Sequence, residues 1–201
     1  MSSSTELDEL DKIAEEVRRC TLCPLWRSRT NTVPGEGNHR AEVMLIGEGP
    51  GEDEDLQGRP FVGRSGKLLT EALKEAGWSR EDVFITNVVK CRPPDNREPT
   101  PEERSICSDR YLRKQIEAIN PRLIILLGAV AVQTLLGIGS VTAVRGKAFE
   151  KHGRKYFCTY HPAAALYNPA NKTTFFKDIQ RAKELADSLK PFYKQRTLDE
   201  G

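Results

Sequence analysis

Two short apolar runs, each ended by a glycine, constrain the fold of this chain most. Residues 43–46 precede Gly47, residues 123–127 precede Gly128, and neither run contains a polar side chain. Runs of this length are typical of strands that are buried on both faces, as in a parallel sheet covered by helices on each side. The sequence therefore predicts an α/β fold.

Predicted strands alternate with predicted helices along the chain. Two more strands are predicted at 82–89 and 155–160, and helices are predicted at 5–19, 65–77, 101–119, 128–136 and 172–189. This alternation indicates a parallel sheet with helices on both faces. Because no repeat or domain boundary is visible, we expect a single domain over residues 1–201, with flexible tails at 1–4 and 192–201.

The composition, 38% hydrophobic and 30% charged, is typical of a soluble globular protein. The longest apolar run, residues 123–132, is about half of the roughly 18 residues that a transmembrane helix needs. The polar N-terminus lacks the apolar segment of a secretory signal, so we expect a cytoplasmic protein without a membrane partner. The net charge of +2 does not by itself indicate nucleic-acid binding. Basic groups that include Lys90, Arg92 and Arg97 fit either a rim that binds a polyanion or ordinary solvated surface charge.

The first apolar run leads into a stretch with three glycines, a proline and four consecutive acidic residues at 52–55. Like charges repel at short range, so a simple turn has no need of this cluster. Open α/β sheets bind ligands at this end of a strand, which makes the stretch a candidate ligand site. Two nucleotide-binding motifs fail here: Glu52 replaces the third glycine of a dinucleotide fingerprint, and Leu68 replaces the Ser or Thr of a phosphate loop.

Four of the five cysteines have a pattern that predicts a metal site. Cys20 and Cys23 form a C-x-x-C pair, Cys91 ends a predicted strand, and Cys107 lies on the following helix. Four thiolates fit either a [4Fe–4S] cluster or a structural zinc ion, and the wide spacing of the last two favours iron–sulfur. The fifth, Cys158, alternates with Phe157 and Thr159 within a predicted strand and is interpreted as a small buried side chain.

Three motifs, taken in order, resemble one known family. They are the acidic stretch 47–55 with Phe61 after it, the segment N-V-V-K-C-R-P-P at 87–94, and H-P-A-A-A-L at 161–166. Together with the four cysteines they resemble the family-4 uracil-DNA glycosylases, iron–sulfur enzymes of archaea and thermophilic bacteria, over residues 20–189. The resemblance implies a three-layer α/β/α sandwich around a central four-stranded parallel sheet. It also implies a structural [4Fe–4S] cluster that is held by Cys20, Cys23, Cys91 and Cys107.

The activity that this resemblance implies is base excision repair of uracil in single- and double-stranded DNA. A monofunctional glycosylase would flip deoxyuridine out of the DNA and hydrolyse its N-glycosidic bond, which releases uracil and leaves an abasic site without a lyase step. The implied catalytic residues are Asn87, His161 and Glu54. Asn87 would pair with the 4-keto oxygen and ring N–H of uracil, His161 would donate to the 2-keto oxygen, and Glu54 would orient water, with Asp55 as the alternative. The implied uracil-binding residues are Glu48, Gly49, Pro50, Glu54, Phe61, Asn87 and His161.

The DNA contacts follow from the same resemblance. Lys90, Arg92 and Arg97 are expected to bind phosphates, and Leu166 or Tyr167 is expected to enter the minor groove as an apolar wedge. We expect a monomer, with a sliding-clamp or polymerase contact possible through a terminal tail.

Three alternatives remain at the level of sequence. A close relative of the family binds uracil-DNA covalently through a histidine in an inserted loop, but residues 90–103 contain no histidine, which favours an enzyme that turns over. An iron–sulfur electron carrier has no need of the acidic stretch beside the strand. A zinc-stapled DNA-binding module would place acidic residues where DNA repels them.

Overall fold

A six-stranded mixed sheet forms the centre of the molecule, in a computed structural model that describes residues 8–189. The strands are β1 Glu36–Gly37, β2 Val43–Gly47, β3 Phe84–Asn87, β4 Leu123–Leu127, β5 Ala148–Lys151 and β6 Arg154–Thr159. Their order in the sheet is β1-β3-β2-β4-β6-β5. Neighbours among β3, β2, β4 and β6 pair in parallel, and β1 and β5 pair antiparallel at the two edges.

The predicted α/β class is confirmed, but the expected sheet of four strands was too small. Neither edge strand was counted in the predicted sheet, because β1 has two residues and the residues of β5 alternate between exposed and half-buried side chains. Neither therefore shows the apolar run that marks a buried strand.

The central strands are buried on both faces. On β2, the side chains of Met44 and Ile46 pack on one face, and those of Val43 and Leu45 pack on the other. In the register of the sheet, Ile124 of β4 lies beside Met44 and is part of the same core. The apolar runs are unbroken because successive side chains pack alternately into two hydrophobic cores, one on each face of the sheet.

Helices cover both faces of the sheet. The helices are α1 Glu9–Arg18, α2 Glu52–Gln57, α3 Arg64–Glu75, α4 Pro101–Cys107, α5 Arg113–Ile119, α6 Ala129–Leu136, α7 Val141–Val144, α8 Pro162–Leu166 and α9 Pro169–Ser188. Buried residues of α1, α4, α5 and α6 pack on one face, and those of α3, α8 and α9 pack on the other. No helix in residues 8–189 is long and apolar enough to cross a membrane.

A π-helical turn, Ser108–Leu112, joins α4 to α5. The predicted helix at 101–119 is therefore continuous but contains a wider turn, which often lies near functional sites. The helix starts where predicted, since Thr100 accepts a hydrogen bond from the Glu103 N–H and Pro101 occupies the first turn. Cys107 ends α4 directly before the wider turn.

The beginning of the chain and the acidic stretch differ from the predictions. Asp8 caps α1, whereas the predicted cap, Thr5, lies outside the described residues, as do the tails at 1–4 and 192–201. The acidic stretch, interpreted as a loop, forms helix α2, which begins after Gly51 and ends at Gly58 in a left-handed conformation. Four carboxylates in the first turn of a helix are stabilised by its dipole, so this helix was predictable from the charge pattern.

Candidate functional site

A cavity of about 260 Å³ lies where β2, β3 and β6 end, at the carboxyl edge of the sheet. Its volume is just below the roughly 300–1,000 Å³ that is usual for small-molecule sites. All seven residues expected to bind uracil line it: Glu48, Gly49, Pro50, Glu54, Phe61, Asn87 and His161. The fold therefore brings together three motifs that lie far apart in sequence.

Asn87, the last residue of β3, presents a buried amide to this cavity. The residue is 1% exposed, and its Oδ1 has no hydrogen-bond partner within residues 8–189. A Cβ atom at Gly47 would lie 2.5 Å from that oxygen and 2.5 Å from the Phe61 ring. Glycine is thus required at the end of β2 so that the amide and the ring can approach each other. A buried polar atom without a partner is costly unless a ligand supplies one.

Phe61 is held in place by its backbone. Its φ of 51° is unusual for a residue with a side chain, and the backbone of Gly66, at the start of α3, lies against its carbonyl. The Arg80 guanidinium donates hydrogen bonds to the carbonyls of Pro60 and Phe61, at 2.7 and 3.0 Å. The Phe61 and His161 rings lie 5.6 Å apart, centroid to centroid, at an angle of 33°.

His161 is a neutral imidazole by two independent criteria. Its Nδ1 accepts a hydrogen bond of 3.2 Å from the Ala163 N–H, so the proton of the neutral ring is on Nε2. Burial lowers its pKa to about 4. Gly128, at φ 92°, packs against the Cβ of His161 and leaves no room for a side chain there. The ring is therefore a fixed donor through Nε2 at neutral pH.

Glu54 both lines the cavity and organises the segment around it. Its Oε1 accepts the N–H groups of Val62 and Gly63, at 2.9 and 2.8 Å, and its Oε2 accepts the Gly51 N–H at 3.2 Å. A carboxylate has about four acceptor positions, so these three bonds leave one for a water molecule or a ligand. The side chain is consequently fixed in position before any ligand binds.

Asp55, the alternative to Glu54, has a different role. It is 2% exposed, and its carboxylate accepts the N–H groups of Thr30 and Asn31 at 2.9 and 3.2 Å. It does not line the cavity. These contacts anchor the segment before β1, and of the two carboxylates only that of Glu54 lines the cavity.

Glu48 is the second carboxylate on the cavity wall. Burial raises its pKa, the negative charge of Glu98 raises it further, and the positive charge of Arg104 opposes both effects. Within the described part of the chain, its carboxylate makes no hydrogen bond. Glu48 thus holds a proton more readily than an exposed glutamate does.

Of the three predicted phosphate-binding residues, Lys90 was placed wrongly. It is 1% exposed, and its Nζ donates to the Thr86 Oγ1 and to the Asn87 carbonyl, so it cannot reach DNA. Arg97 is exposed at the cavity rim and forms a two-point ion pair with Glu103 at 2.8 Å. Arg92 is half-buried and donates to Asn96 at 2.8 Å.

The two predicted wedge residues differ in exposure. Tyr167, directly after α8, is 77% exposed, and the Arg64 guanidinium lies 5.7 Å from the centre of its ring. Leu166 is half-buried and packs against the core formed by α3 and α9. Tyr167 is therefore the side chain that is free to contact a ligand outside the protein.

The four cysteines gather between α1, β3 and α4. The Arg29 guanidinium donates to the Cys20 carbonyl at 2.7 Å and to the Cys91 Sγ at 3.2 Å, and the Lys90 N–H donates to the Cys107 Sγ at 3.3 Å. Burial raises the pKa of the Cys107 thiol to about 12, and it raises the pKa values of Cys91 and Cys23 as well. A positively charged centre is needed to keep such buried thiols ionised.

The spacing of these thiols is wider than that of a single-ion site. Within residues 8–189, no three of the four sulfur atoms lie within 4.8 Å of one another. Thiolates around one zinc ion are about 3.8 Å apart, as follows from a Zn–S bond of about 2.3 Å in tetrahedral geometry. Hydrogen bonds from Arg29 and from a backbone N–H to sulfur also suit an anionic cluster.

Comparison with known proteins identifies the family. The model of the uracil DNA glycosylase superfamily matches residues 34–183. Curated type-4 uracil-DNA glycosylases from Saccharolobus solfataricus, Sulfurisphaera tokodaii and Archaeoglobus fulgidus are 52%, 49% and 46% identical to this chain. The alignments cover 96%, 92% and 92% of this chain, and 91%, 89% and 97% of those proteins.

The chain belongs to the type-4 uracil-DNA glycosylases. In this glycosylase, two residues around the cavity, Gly47 and Arg80, had no functional role from sequence, and Lys90 had a wrong one. Gly47 was visible as a strand-ending glycine, which often marks a close approach. Arg80 donates to the carbonyls of Pro60 and Phe61, which are distant in sequence, and Lys90 donates to the buried carbonyl of Asn87. Only the structure reveals these contacts.

Proposed function

We propose that this chain removes uracil from single- and double-stranded DNA by hydrolysing the N-glycosidic bond of a flipped deoxyuridine. The product is an abasic site, and no lyase step follows. The observation that carries the proposal is the unpaired amide oxygen of Asn87, buried in a cavity with Phe61 and His161. The names of the type-4 relatives support it.

Asn87 is proposed to recognise the base. Its amide offers an acceptor and a donor side by side, which match the N3–H and O4 of uracil. Cytosine presents the opposite pattern and would leave two buried groups unpaired, a penalty that discriminates strongly. Phe61 would stack on the base, a contact worth about 1–3 kcal/mol in single-strand binders.

His161 is proposed to stabilise the leaving group. As the glycosidic bond breaks, negative charge accumulates on the 2-keto oxygen of uracil. A neutral imidazole with its proton on Nε2 donates a hydrogen bond to that oxygen. One such preorganised donor is worth about 10²–10³ in rate.

Glu54 is proposed to act on water and the sugar. Its three backbone hydrogen bonds fix one carboxylate oxygen toward the cavity, where it can orient a water molecule. The negative charge also offsets the positive charge that develops on the sugar, as carboxylates do in glycoside hydrolysis. Glu48 lines the same wall and is proposed to contact the base rather than the water.

Arg92, Arg97 and Tyr167 are proposed to bind DNA. Extruding a nucleotide costs a few kcal/mol of stacking and pairing, which contacts outside the cavity must offset. The exposed ring of Tyr167 would fill the gap in the stack, while Leu166 packs against the core. The two arginines would bind phosphates, which positions the protein without reading sequence.

Cys20, Cys23, Cys91 and Cys107 are proposed to hold a [4Fe–4S] cluster, which the donor set and its wide spacing fit. The bound cluster would link segments of the chain covalently and would take no part in the reaction. The link would join the segment after α1 to the loop between β3 and α4.

The setting of the enzyme is also a proposal. We infer a single-domain monomer that works in the cytoplasm. A sliding-clamp or polymerase contact through a terminal tail stays a prediction, since residues 1–7 and 190–201 lie outside the described structure.

A glycosylase assay tests the function. Purified protein is incubated without added cofactor with oligonucleotides that are identical except for one uracil, thymine or cytosine. We expect strand breaks at uracil alone, in single- and double-stranded substrates, and only after alkali, since no lyase step is proposed. No alkali-labile sites at uracil would overturn the proposal, and breaks without alkali would overturn its monofunctional part.

A further inference from the structure

Lys90 lies between the cysteines and the base-recognition residue. Its Nζ donates hydrogen bonds to the Asn87 carbonyl at 2.7 Å and to the Thr86 Oγ1 at 2.6 Å, and its backbone N–H donates to the Cys107 Sγ at 3.3 Å. It is the residue directly before Cys91. Through its side chain and its backbone, this one buried residue thus contacts both a residue of the cavity wall and a residue of the cysteine site.

The peptide group between Asn87 and Val88 is held at both ends. Its carbonyl accepts from Lys90, and its N–H donates to the Gly47 carbonyl at 2.9 Å. The orientation of this peptide sets the direction in which the Asn87 amide leaves the backbone. Gly47 also packs against the Asn87 Oδ1 itself, so the amide has little freedom to turn.

Lys90 has no carboxylate partner among residues 8–189. A buried ammonium without a counter-charge is strongly unfavourable, and it is found where a ligand or metal centre supplies the charge. The four thiolates of an iron–sulfur site carry four negative charges, of which the [4Fe–4S] core offsets only a part. The cysteine site beside Lys90 would therefore supply the negative counter-charge that the buried ammonium otherwise lacks.

We propose that Lys90 is a positioning residue that balances the negative charge of the cysteine site and, through the Asn87 peptide, aligns the amide that selects uracil. The proposal rests on the function proposed above. Lys90 makes no contact with substrate. Loss of its side chain therefore changes two distant properties together: retention of the cluster and discrimination between bases.

The test compares Lys90→Met with Lys74→Met in the full-length protein. Methionine has nearly the same length as lysine but no charge or N–H donor, and Lys74 is an exposed residue at the end of α3. Three quantities are measured: the rate at which cluster absorbance is lost in the presence of an iron chelator, kcat and KM on uracil oligonucleotides, and the ratio of uracil to cytosine removal.

For Lys90→Met we expect cluster loss at least fivefold faster and kcat/KM for uracil at least tenfold lower, with a reduced uracil-to-cytosine ratio. Lys74→Met should match the wild type in all three. Unchanged cluster retention would overturn the charge-balancing role. An unchanged base ratio would overturn the alignment role, even if stability fell, since a purely structural lysine would not alter selectivity.

A second variant keeps the proposal testable if Lys90→Met does not fold. Thr86→Val removes one acceptor of the ammonium but leaves its charge in place, so we expect cluster retention within twofold of the wild type and a lower base ratio. Faster cluster loss with an unchanged base ratio would overturn the proposal. A wild-type protein that retains iron but releases no uracil would refute the proposed function, and the chelator measurement on Lys90→Met would still decide the charge-balancing part.

Discussion

At the residue scale, the contacts of a side chain separate residues that the sequence makes look equivalent. Glu54 and Asp55 are neighbours of the same chemical type, and both are buried. Glu54 lines the cavity, whereas Asp55 caps backbone N–H groups of a segment outside it. Lys90 was predicted to bind DNA because it is basic and lies within a motif, yet its ammonium is buried and donates to the Asn87 carbonyl.

The first prediction concerns Asn87→Asp. An ionised carboxylate has no N–H donor for the uracil O4, so we expect kcat/KM on uracil to fall by about 10²-fold or more. The ratio of uracil to cytosine removal should fall with it. Single-turnover assays on matched oligonucleotides measure both. Asn38→Asp, at an exposed position, is the control, and an unchanged ratio in Asn87→Asp would exclude Asn87 from base recognition.

The second prediction concerns pH and His161. Burial lowers the pKa of His161 to about 4 from the ordinary 6.5, so between these values the unfolded chain binds a proton that the folded protein does not. The contribution of this group to stability is fully present above pH 6.5 and is lost as pH falls towards 4. Denaturant unfolding of the wild type at several pH values should show this loss. For His161→Gln, the slope of the unfolding free energy against pH should be smaller by the contribution of about one bound proton. Equal slopes for the two proteins would contradict the prediction.

At the element scale, short helices and turns position the cavity. Helix α2 is built from the acidic stretch, and Glu54 links it to the segment that carries Phe61. Helix α3 begins directly after that segment, and Gly66 in its first turn lies against the Phe61 backbone. The orientation of Phe61 thus depends on contacts that both helices make with its segment.

The third prediction tests the contact between Gly66 and the Phe61 backbone with Gly66→Ala. Inside a helix, alanine is ordinarily more favourable than glycine by about 0.5–1 kcal/mol. Here the added methyl group overlaps the Phe61 carbonyl, so we expect Gly66→Ala to lower the melting temperature instead of raising it. We also expect about a tenfold lower kcat/KM on uracil. Gly139→Ala, where no atom lies within 4 Å of the new Cβ, should be neutral. A more stable and fully active Gly66→Ala protein would rule out the contact.

At the scale of the whole molecule, the sheet and the cysteines join segments that are remote in sequence. β2, β3 and β6 end at one edge, which brings residues 48, 87 and 161 to one cavity. The four cysteines lie on the segment after α1, on the loop before α4 and on α4 itself. A bound cluster should therefore stabilise the whole fold.

The fourth prediction concerns loss of the cluster. Cys20→Ser should lower the iron content per chain and reduce the melting temperature by roughly 5 °C or more, because binding energy at a structural metal site adds to folding energy. Cys158→Ala should retain its iron, since Cys158 lies in a strand away from the other four. Iron analysis and thermal unfolding of both variants check this. Full iron in Cys20→Ser would remove Cys20 from the ligand set.

Much of this protein was predictable from sequence alone. Unbroken apolar runs specified the buried strands, because both faces of a parallel sheet must be covered, and the three motifs specified the family. The edge strands were not predictable, since β1 and β5 bury no continuous apolar surface. Only the tertiary structure determined that Asp55 and Lys90 do not line the cavity, that His161 is neutral, and that Gly47 and Gly66 make room for the site. Those properties depend on burial and on contacts between distant segments, which residue type and spacing do not encode.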